Sequence, residues 1–319
     1  MSFKIIGTGH CVPERVVTNE EMSSLVDTSD EWILKRVGIR ERRVCTTETT
    51  GYLAEKAALA ALEMSGVLPS ELDMIICATV SSDYASPSLA CVVQNAIGAT
   101  CPAMDIGAAC SGFIYLLDTA AGFFARKKVK KMLVIGGERL SRIVDWTDRS
   151  TCVIFADGAG AMVLAEGDSY ISSKLFAKGG DDVIKIPLPE VTTPFYEAPP
   201  GRPYIHMNGQ ETFKFAVNAM STDILDVTKD ANLKPEDIAL FFPHQANVRI
   251  IDAAARKLGL PNERFCKNID RYGNTSSASI PMIVDEVNRE GRLKKGDYVV
   301  LCAFGGGLSS GACVIRWEM

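Results

Sequence analysis

"GVLPSELDMIICATV" (66–80) and "ANLKPEDIALFFPHQ" (231–245) are two versions of one pattern: a turn, an acidic pair and a buried strand. The echo continues. "KKVKKMLVIGGERLS" (127–141) matches "RLKKGDYVVLCAFGG" (292–306), and "GAGAMVLAEG" (158–167) matches "SSGACVIRWE" (309–318). Three elements recurring in one order indicate an internal duplication with a period near half the chain, too long for a solenoid. Between the echoes, helical patterns such as "GYLAEKAALAALEMSG" (51–66) and "QNAIGA" (94–99) alternate with short Val/Ile-rich runs. That alternation predicts α/β layers, here two α/β halves packed face to face. The join is expected between Gly167 and Gly180, giving halves 1–170 and 171–319. The proline-rich "PLPEVTTPFYEAPPGRP" (187–203) reads as a polar surface segment rather than a linker between independent domains.

The bulk numbers bound the function. At 319 residues there is enough chain for about two domains or one double-layered unit. A hydrophobic content of 47 % with 23 % charge is that of a soluble globular enzyme. No segment approaches the roughly 20 apolar residues of a membrane span. The start, "MSFKIIGTGH" (1–10), enters a β-like run without the order of a signal peptide, so a cytoplasmic protein is expected. A net charge of −5 argues against a general nucleic-acid binder. Ten cysteines form no CxxC pair, which predicts reduced thiols and no zinc ribbon. His10, His206 and His244 are not spaced as metal ligands, so no metal site is expected.

One cysteine stands out by its setting. Cys110, in "DIGAACSGFIY" (105–115), follows the strand-like "PAMDI" and precedes the helical "SGFIYLLDTAAGFFA" (111–125). A cysteine in an apolar stretch is ordinarily core filling. At a helix N-terminus, however, unpaired N–H groups and the macrodipole favour a thiolate by about 0.3–2 kcal/mol, which makes a nucleophile. In a duplicated chain the pseudo-two-fold axis brings equivalent turns together. The counterpart of the cysteine turn is expected near "RYGNTSSAS" (271–279), which taken alone is simply a turn with a left-handed Asn274. His244 in "FFPHQANVRI" (241–250) ends a strand and opens a helix, where α/β folds place chemistry, although a lone histidine is more often a core or capping residue. The glycine-rich "FGGGLSSGA" (304–312) also fits tight packing.

Taken together, "DIGAACSGF", "PHQAN", "YGNTSSASIP" and "AFGGGLSSG" resemble, in order and spacing, the β-ketoacyl-acyl-carrier-protein synthase III family of the thiolase fold. The resemblance spans essentially the whole chain and implies a duplicated five-layered α-β-α-β-α architecture. It implies that Cys110 is the nucleophile, that His244 and Asn274 handle a decarboxylating malonyl group, and that the N–H groups of Cys110 and Gly306 form an oxyanion hole. The chemistry is consistent. Loss of CO₂ from a malonyl thioester leaves an enolate, whose oxygen needs two donors; a neutral imidazole N–H and an Asn amide supply them.

The resemblance further implies an acyl-CoA substrate, a malonyl-acyl-carrier-protein acceptor, a homodimer and no cofactor beyond the coenzyme A thioester. Trp32 and Arg36 lie one helical turn apart, an arrangement equally expected of an amphipathic helix. In the family they meet coenzyme A, with adenine held between Trp32 and Arg149, phosphate near Arg36, and Gly209 and Asn247 along the pantetheine tunnel. Lys214, Arg249, Arg256 and Lys257 would form the positive patch that an acidic carrier needs. Two positions depart from the family: Ser86, ahead of "PS" where many members carry a bulky aromatic that closes the primer pocket across the dimer, and Ser310, where the glycine-rich motif usually carries Trp. Both are expected at the primer pocket, which leaves open the starter acyl group and a role in secondary metabolism. A cysteine-dependent thioesterase is the more distant alternative.

Overall fold

The computed structural model describes residues 2–201 and 204–319; Met1, and Arg202 and Pro203 at the end of the proline-rich stretch, lie outside the described residues. The two echoing stretches fold alike. Pro69–Glu71 and Pro235–Asp237 each make a single 3₁₀ turn with proline at its start. In each, an acidic side chain accepts from the N–H that precedes the proline, Leu68 to Glu71 at 2.9 Å and Lys234 to Asp237 at 2.8 Å. The local rule is that proline needs no N–H partner and the carboxylate satisfies the orphaned donor.

The chain begins with β1 (Ser2–Cys11), then β2 (Val16–Thr18), α1 (Asn19–Leu25), α2 (Asp30–Val37) and β3 (Glu41–Arg43). There follow α3 (Thr50–Ser65), β4 (Met74–Ala78), α4 (Leu89–Ala96), β5 (Ala103–Ile106), α5 (Gly112–Ala125), β6 (Lys131–Arg139), α6 (Arg149–Cys152) and β7 (Asp157–Gly167). β8 (Tyr170–Ala177) leads into an excursion carrying β9 (Ile184–Lys185) and β10 (His206–Met207). The remainder is α7 (Gly209–Asp230), β11 (Leu240–Pro243), α8 (Val248–Leu258), α9 (Ile269–Tyr272), α10 (Ser279–Arg289), β12 (Tyr298–Gly305) and β13 (Ser309–Arg316).

Two sheets repeat one topology, β1-β7-β6-β4-β5 and β8-β13-β12-β11. In each, β6 with β4 and β12 with β11 pair in parallel, the pairs on the β1 and β8 side are antiparallel, and β5 extends the first sheet with a further parallel pair. Met74 faces Met132 and Leu240 faces Val299, so the true equivalence lies one residue beyond the first echo quoted above and two beyond the second. The counterpart of β5 is reduced to a bridge between Phe241 and Phe265, whose rings stack at 4.5 Å.

Layering follows from which helix faces are apolar. α3 and α4 cover the outer face of the first sheet through Leu53, Ala57, Ala61, Leu89 and Val93. α7 and α8 cover the second through Met220, Ile224, Ile251 and Ala254. α5 and α10 run between the sheets, and Phe113, Leu117, Phe124, Ile283 and Val284 pack against residues of both. That is a five-layered α-β-α-β-α fold, as expected. Each fully buried Phe or Leu of the central layer contributes about 1.5–3 kcal/mol.

The central layer also positions the site. α5 and α10 are each preceded by a 3₁₀ turn, Ala109–Ser111 and Ser276–Ala278, and the two turns lie against one another. Cys110 and Ser277 occupy equivalent places in them. Their approach depends on Gly136 of β6, where a Cβ would sit 2.5 Å from the Ser277 carbonyl oxygen.

Candidate active site

A cavity of about 770 Å³ opens where the two turns meet, and Cys110, His244, Asn274 and Gly306 all line it. Each is placed by a different element. Cys110 sits in the turn that runs into α5, half-buried, with its free surface toward the cavity. His244 follows β11 and is 1 % exposed. Its loop is locked by Gln245, whose Nε2 donates to the Pro243 and Cys266 carbonyls at 2.7 and 3.1 Å while Oε1 accepts from Asn268 N–H at 3.1 Å. Asn274 is 5 % exposed and precedes the turn before α10.

The hydrogen bonds orient both donors. Gln245 N–H donates to Ser279 Oγ at 3.3 Å, and Ser279 Oγ lies 2.7 Å from His244 Nδ1. With Oγ accepting from the backbone, its own hydrogen is directed to Nδ1, which leaves the proton of the neutral ring on Nε2. Neutrality is enforced, since burial lowers the His244 pKa to about 3. The Asn274 Oδ1 accepts from Ser276 N–H at 2.8 Å. That bond fixes the amide plane and leaves the Nδ2 hydrogens for the cavity.

The nucleophile departs from the expectation of an acidified thiol. Burial pushes Cys110 up to about 12 from 9.0, the neighbouring Glu138 charge adds to the rise, and Ser276 opposes it. A helix N-terminus supplies at most about 2 kcal/mol, or about 1.5 pH units, so burial wins and the resting thiol is protonated. Glu138 is itself fully buried, its carboxyl raised by burial and held by Ser81, Ser277 and Val80 N–H at 2.5, 2.7 and 3.1 Å.

Around the mouth the structure brings together Trp32, Arg36, Gly209, Lys214, Asn247 and Arg249. α2 carries Trp32 and Arg36 because Ser29 caps it and Gly38, at φ +82°, ends it. Arg149 stacks on the Trp32 ring at 4.8 Å, with Arg36 at 5.7 Å. Asn247 caps α8 through Arg249 N–H at 2.9 Å and donates to the Arg36 carbonyl at 3.2 Å. Arg256 and Lys257 lie about two turns further along α8, outside the cavity, with Lys257 on Asn218 at 2.7 Å.

One expectation about the pocket wall requires correction. Ser310 is buried but does not line the cavity. Side chains alternate along β13: Ser309 points to the Cys110 side, bonding Ser111 Oγ at 2.8 Å, so Ser310 points to the opposite face, toward Asp223 of α7. Ser86 is exposed on the loop before α4, likewise outside the cavity of this chain. The glycine of closest approach is also one residue earlier than expected. A Cβ on Gly305 would lie 2.7 Å from Cys110 N, whereas one on Gly306 would only touch Ile184 at 3.4 Å.

Sequence reasoning missed Gly305, Ser276, Ser279 and the apolar walls Ile184, Met207 and Phe304. The glycine run and the serines of "YGNTSSAS" were visible signals; the β9 and β10 excursion has no periodicity to reveal it. No helix among the described residues is long and apolar enough to cross a membrane, and no group of three or more His, Cys, Asp or Glu is placed to hold a metal ion.

Comparison with known proteins agrees with this geometry. Residues 104–179 match the family 3-Oxoacyl-[acyl-carrier-protein (ACP)] synthase III, and residues 228–317 match its C-terminal part. The chain is 50 % identical to the beta-ketoacyl-[acyl-carrier-protein] synthase III of Clostridium acetobutylicum over 99 % of both chains. The crystal structure of 3-oxoacyl-[acyl-carrier-protein] synthase III from Aquifex aeolicus VF5 superposes with a TM-score of 0.92 at 45 % identity, covering 99 % of this chain and 100 % of that one. The priming beta-ketosynthase of the R1128 polyketide pathway gives 0.93 at 31 % identity, covering 99 % and 96 %. The chain therefore belongs to the 3-oxoacyl-[acyl-carrier-protein] synthase III family of condensing acyltransferases.

Proposed function

We propose that Cys110 accepts an acyl group from acyl-CoA and that His244 and Asn274 then drive its condensation with malonyl-acyl-carrier protein, starting a fatty acid chain. One observation carries this reading: a thiol and two oriented neutral donors converge on a single enclosed cavity. In acylation the sulfur attacks the thioester carbonyl while the N–H groups of Cys110 and Gly306 hold the oxyanion, and the thiol proton ends on the departing coenzyme A. In condensation, CO₂ leaves the malonyl group and the enolate oxygen is held by His244 Nε2–H and Asn274 Nδ2–H. The enolate carbon attacks the acyl-cysteine, giving 3-oxoacyl-carrier protein and regenerating the cysteine. Neither donor acts as a base, which suits an imidazole that stays neutral.

In this reading, residues 1–170 carry the nucleophile and 171–319 the His/Asn pair and the glycine loop. Trp32, Arg36, Arg149, Gly209 and Asn247 bind coenzyme A, with Arg149 swinging off Trp32 to admit the adenine. Lys214 and Arg249 at the mouth, extended by Arg256 and Lys257, attract the acidic carrier. The enzyme works in the cytoplasm as a homodimer, without a metal or resident cofactor, and Ser86 meets the primer pocket of a second copy. The test is to incubate the protein with a panel of acyl-CoAs, weigh it intact and map the adduct. An acyl group on Cys110, followed by CO₂ release and a 3-oxoacyl product when malonyl-carrier protein is added, is the expected result. Free acid without CO₂ would establish a thioesterase instead. The likeness to the R1128 priming enzyme supports a second reading, a starter enzyme of secondary metabolism, and the preferred acyl group in the same panel separates the two.

A further inference from the structure

The condensation chemistry leaves one group at the cavity without a task, the hydroxyl of Ser276. Ser276 lines the cavity at 2 % exposure, and its Oγ, fully buried, makes no well-formed hydrogen bond among the described residues. Burying an unpaired hydroxyl is costly, so its retention needs a reason. The turn does not need it. Ser276 has φ +50°, a region that side-chain-bearing residues rarely adopt, but Ala109 has φ +47° at the equivalent place before α5. An alanine therefore suffices for that backbone conformation. The Ser276 side chain also favours the Glu138 charge, but Glu138 does not depend on it, since Ser81, Ser277, Val80 N–H and Thr79 already donate to its carboxylate.

The neighbour with no other side-chain donor is the Cys110 sulfur. The Ser276 side chain lies beside it and favours its ionised form, against the opposing effects of burial and the Glu138 charge. A neutral thiol makes little demand on a donor, which explains why the hydroxyl stands idle at rest. A thiolate demands one strongly.

We propose, on the basis that Cys110 is the nucleophile, that Ser276 is a further catalytic residue whose Oγ–H is reserved for the Cys110 sulfur and donates to it whenever it carries negative charge. That occurs as the thioester is attacked and again when the acyl chain leaves the cysteine. Ser276 keeps its own proton throughout; the proton lost by the thiol goes to the coenzyme A thiolate, and the regenerated cysteine thiolate is reprotonated from water. The arrangement divides the labour between neighbours, with Asn274 serving the enolate and Ser276, two residues on, serving the sulfur.

The test uses the full-length protein, with iodoacetamide as the probe and peptide mass spectrometry to follow alkylation of Cys110 separately from the nine other cysteines. Rates are measured across pH for the unmodified enzyme, Ser276→Ala and Ser276→Gly. The glycine variant relieves the positive φ while also removing the hydroxyl, so it distinguishes loss of the donor from backbone strain. Both variants should slow alkylation of Cys110 at each pH between about 7 and 9 by about 10- to 100-fold, the loss expected when a thiolate gives up one hydrogen bond. Acylation by acetyl-CoA should slow in step. Alkylation rates within about twofold of the unmodified enzyme over that pH range in either folded variant would overturn the inference. The underlying assignment fails differently: acetyl-CoA would then acylate a residue other than Cys110 in the unmodified enzyme.

Discussion

Substituting Gly305 by alanine tests how closely the glycine loop must approach the nucleophile. An added Cβ would lie 2.7 Å from Cys110 N, 3.1 Å from its Cβ and 3.2 Å from Ser111 N. The nearest of these is a backbone atom that cannot rotate away. Ordinary contact starts at 3.4 Å, so the end of β12 and the cysteine turn must separate by about 0.7 Å. Overpacking of this kind costs about 1–3 kcal/mol of stability. The kinetic cost is larger. A shift of about 1 Å between reacting groups costs on the order of 10²-fold, so Gly305→Ala should slow acylation by roughly 30- to 100-fold. Gly306→Ala makes only ordinary contacts, with the Ile184 side chain at 3.4 Å and Ala109 Cβ at 3.7 Å, and keeps its N–H, so its loss should stay below about tenfold. The assay is single-turnover transfer from acetyl-CoA, quenched rapidly and read as intact mass, with thermal unfolding measured alongside. If Gly306→Ala were the more damaging substitution, or Gly305→Ala acylated at the normal rate, the assignment of the close contact would be wrong.

Replacing Cys110 with Ala should abolish the acyl-enzyme while malonyl decarboxylation continues, since the enolate donors survive; acylation of that variant by acyl-CoA would reveal another nucleophile. His244→Ala and Asn274→Ala should each spare acylation and reduce condensation by on the order of 10²-fold or more, measured as separate partial reactions. Because burial holds His244 neutral down to about 3, decarboxylation should show no His244 inflection between about pH 5 and 8, and one near 6.5 that vanished in His244→Gln would contradict this. The same shift has a sign for stability: the unfolded chain binds a proton at 6.5 that the folded one refuses until about 3, so His244 makes the fold less stable as pH falls through that window. If Ser86 opens the primer pocket of a second copy, butyryl or branched acyl-CoAs should acylate Cys110 at least as well as acetyl-CoA, each added methylene gaining about 0.8 kcal/mol, and Ser86→Phe should reverse the preference. A strict acetyl preference that the substitution left unchanged would dispose of that idea.

The duplication was legible because the turn, acidic pair and apolar run of 66–80 and 231–245 are local and strong signals. Cys110, His244 and Asn274 were legible for a related reason: each sits at the end of such an element, and their joint spacing is distinctive. Less visible were properties that depend on which way a side chain points. Ser310 and Ser309 are adjacent in sequence, yet only strand alternation, anchored by the bond from Ser309 to Ser111, decides that Ser309 is the one facing the cysteine side. The thiol's acidity was misjudged because a helix N-terminus can be seen in a sequence while the depth of burial cannot. The wall residues Ile184 and Met207 belong to pairing strands of two residues each, too short to leave any periodic trace.

The reduced counterpart of β5 bears on how copies of the chain assemble. In the first sheet β5 is a full edge strand with half-buried residues, a row of backbone donors and acceptors that another strand can extend. In the second, the same place is closed by a single bridge and the stacked Phe241 and Phe265. The opposite edges, β1 and β8, adjoin at Ser169, whose N–H donates to the Phe3 carbonyl and whose own carbonyl accepts from Arg316 N–H. Had both repeats kept an open edge, each molecule would carry two adhesive ends and sheets could propagate into fibres. With one such end, pairing of like with like about a two-fold axis would exhaust the valence and stop growth at two.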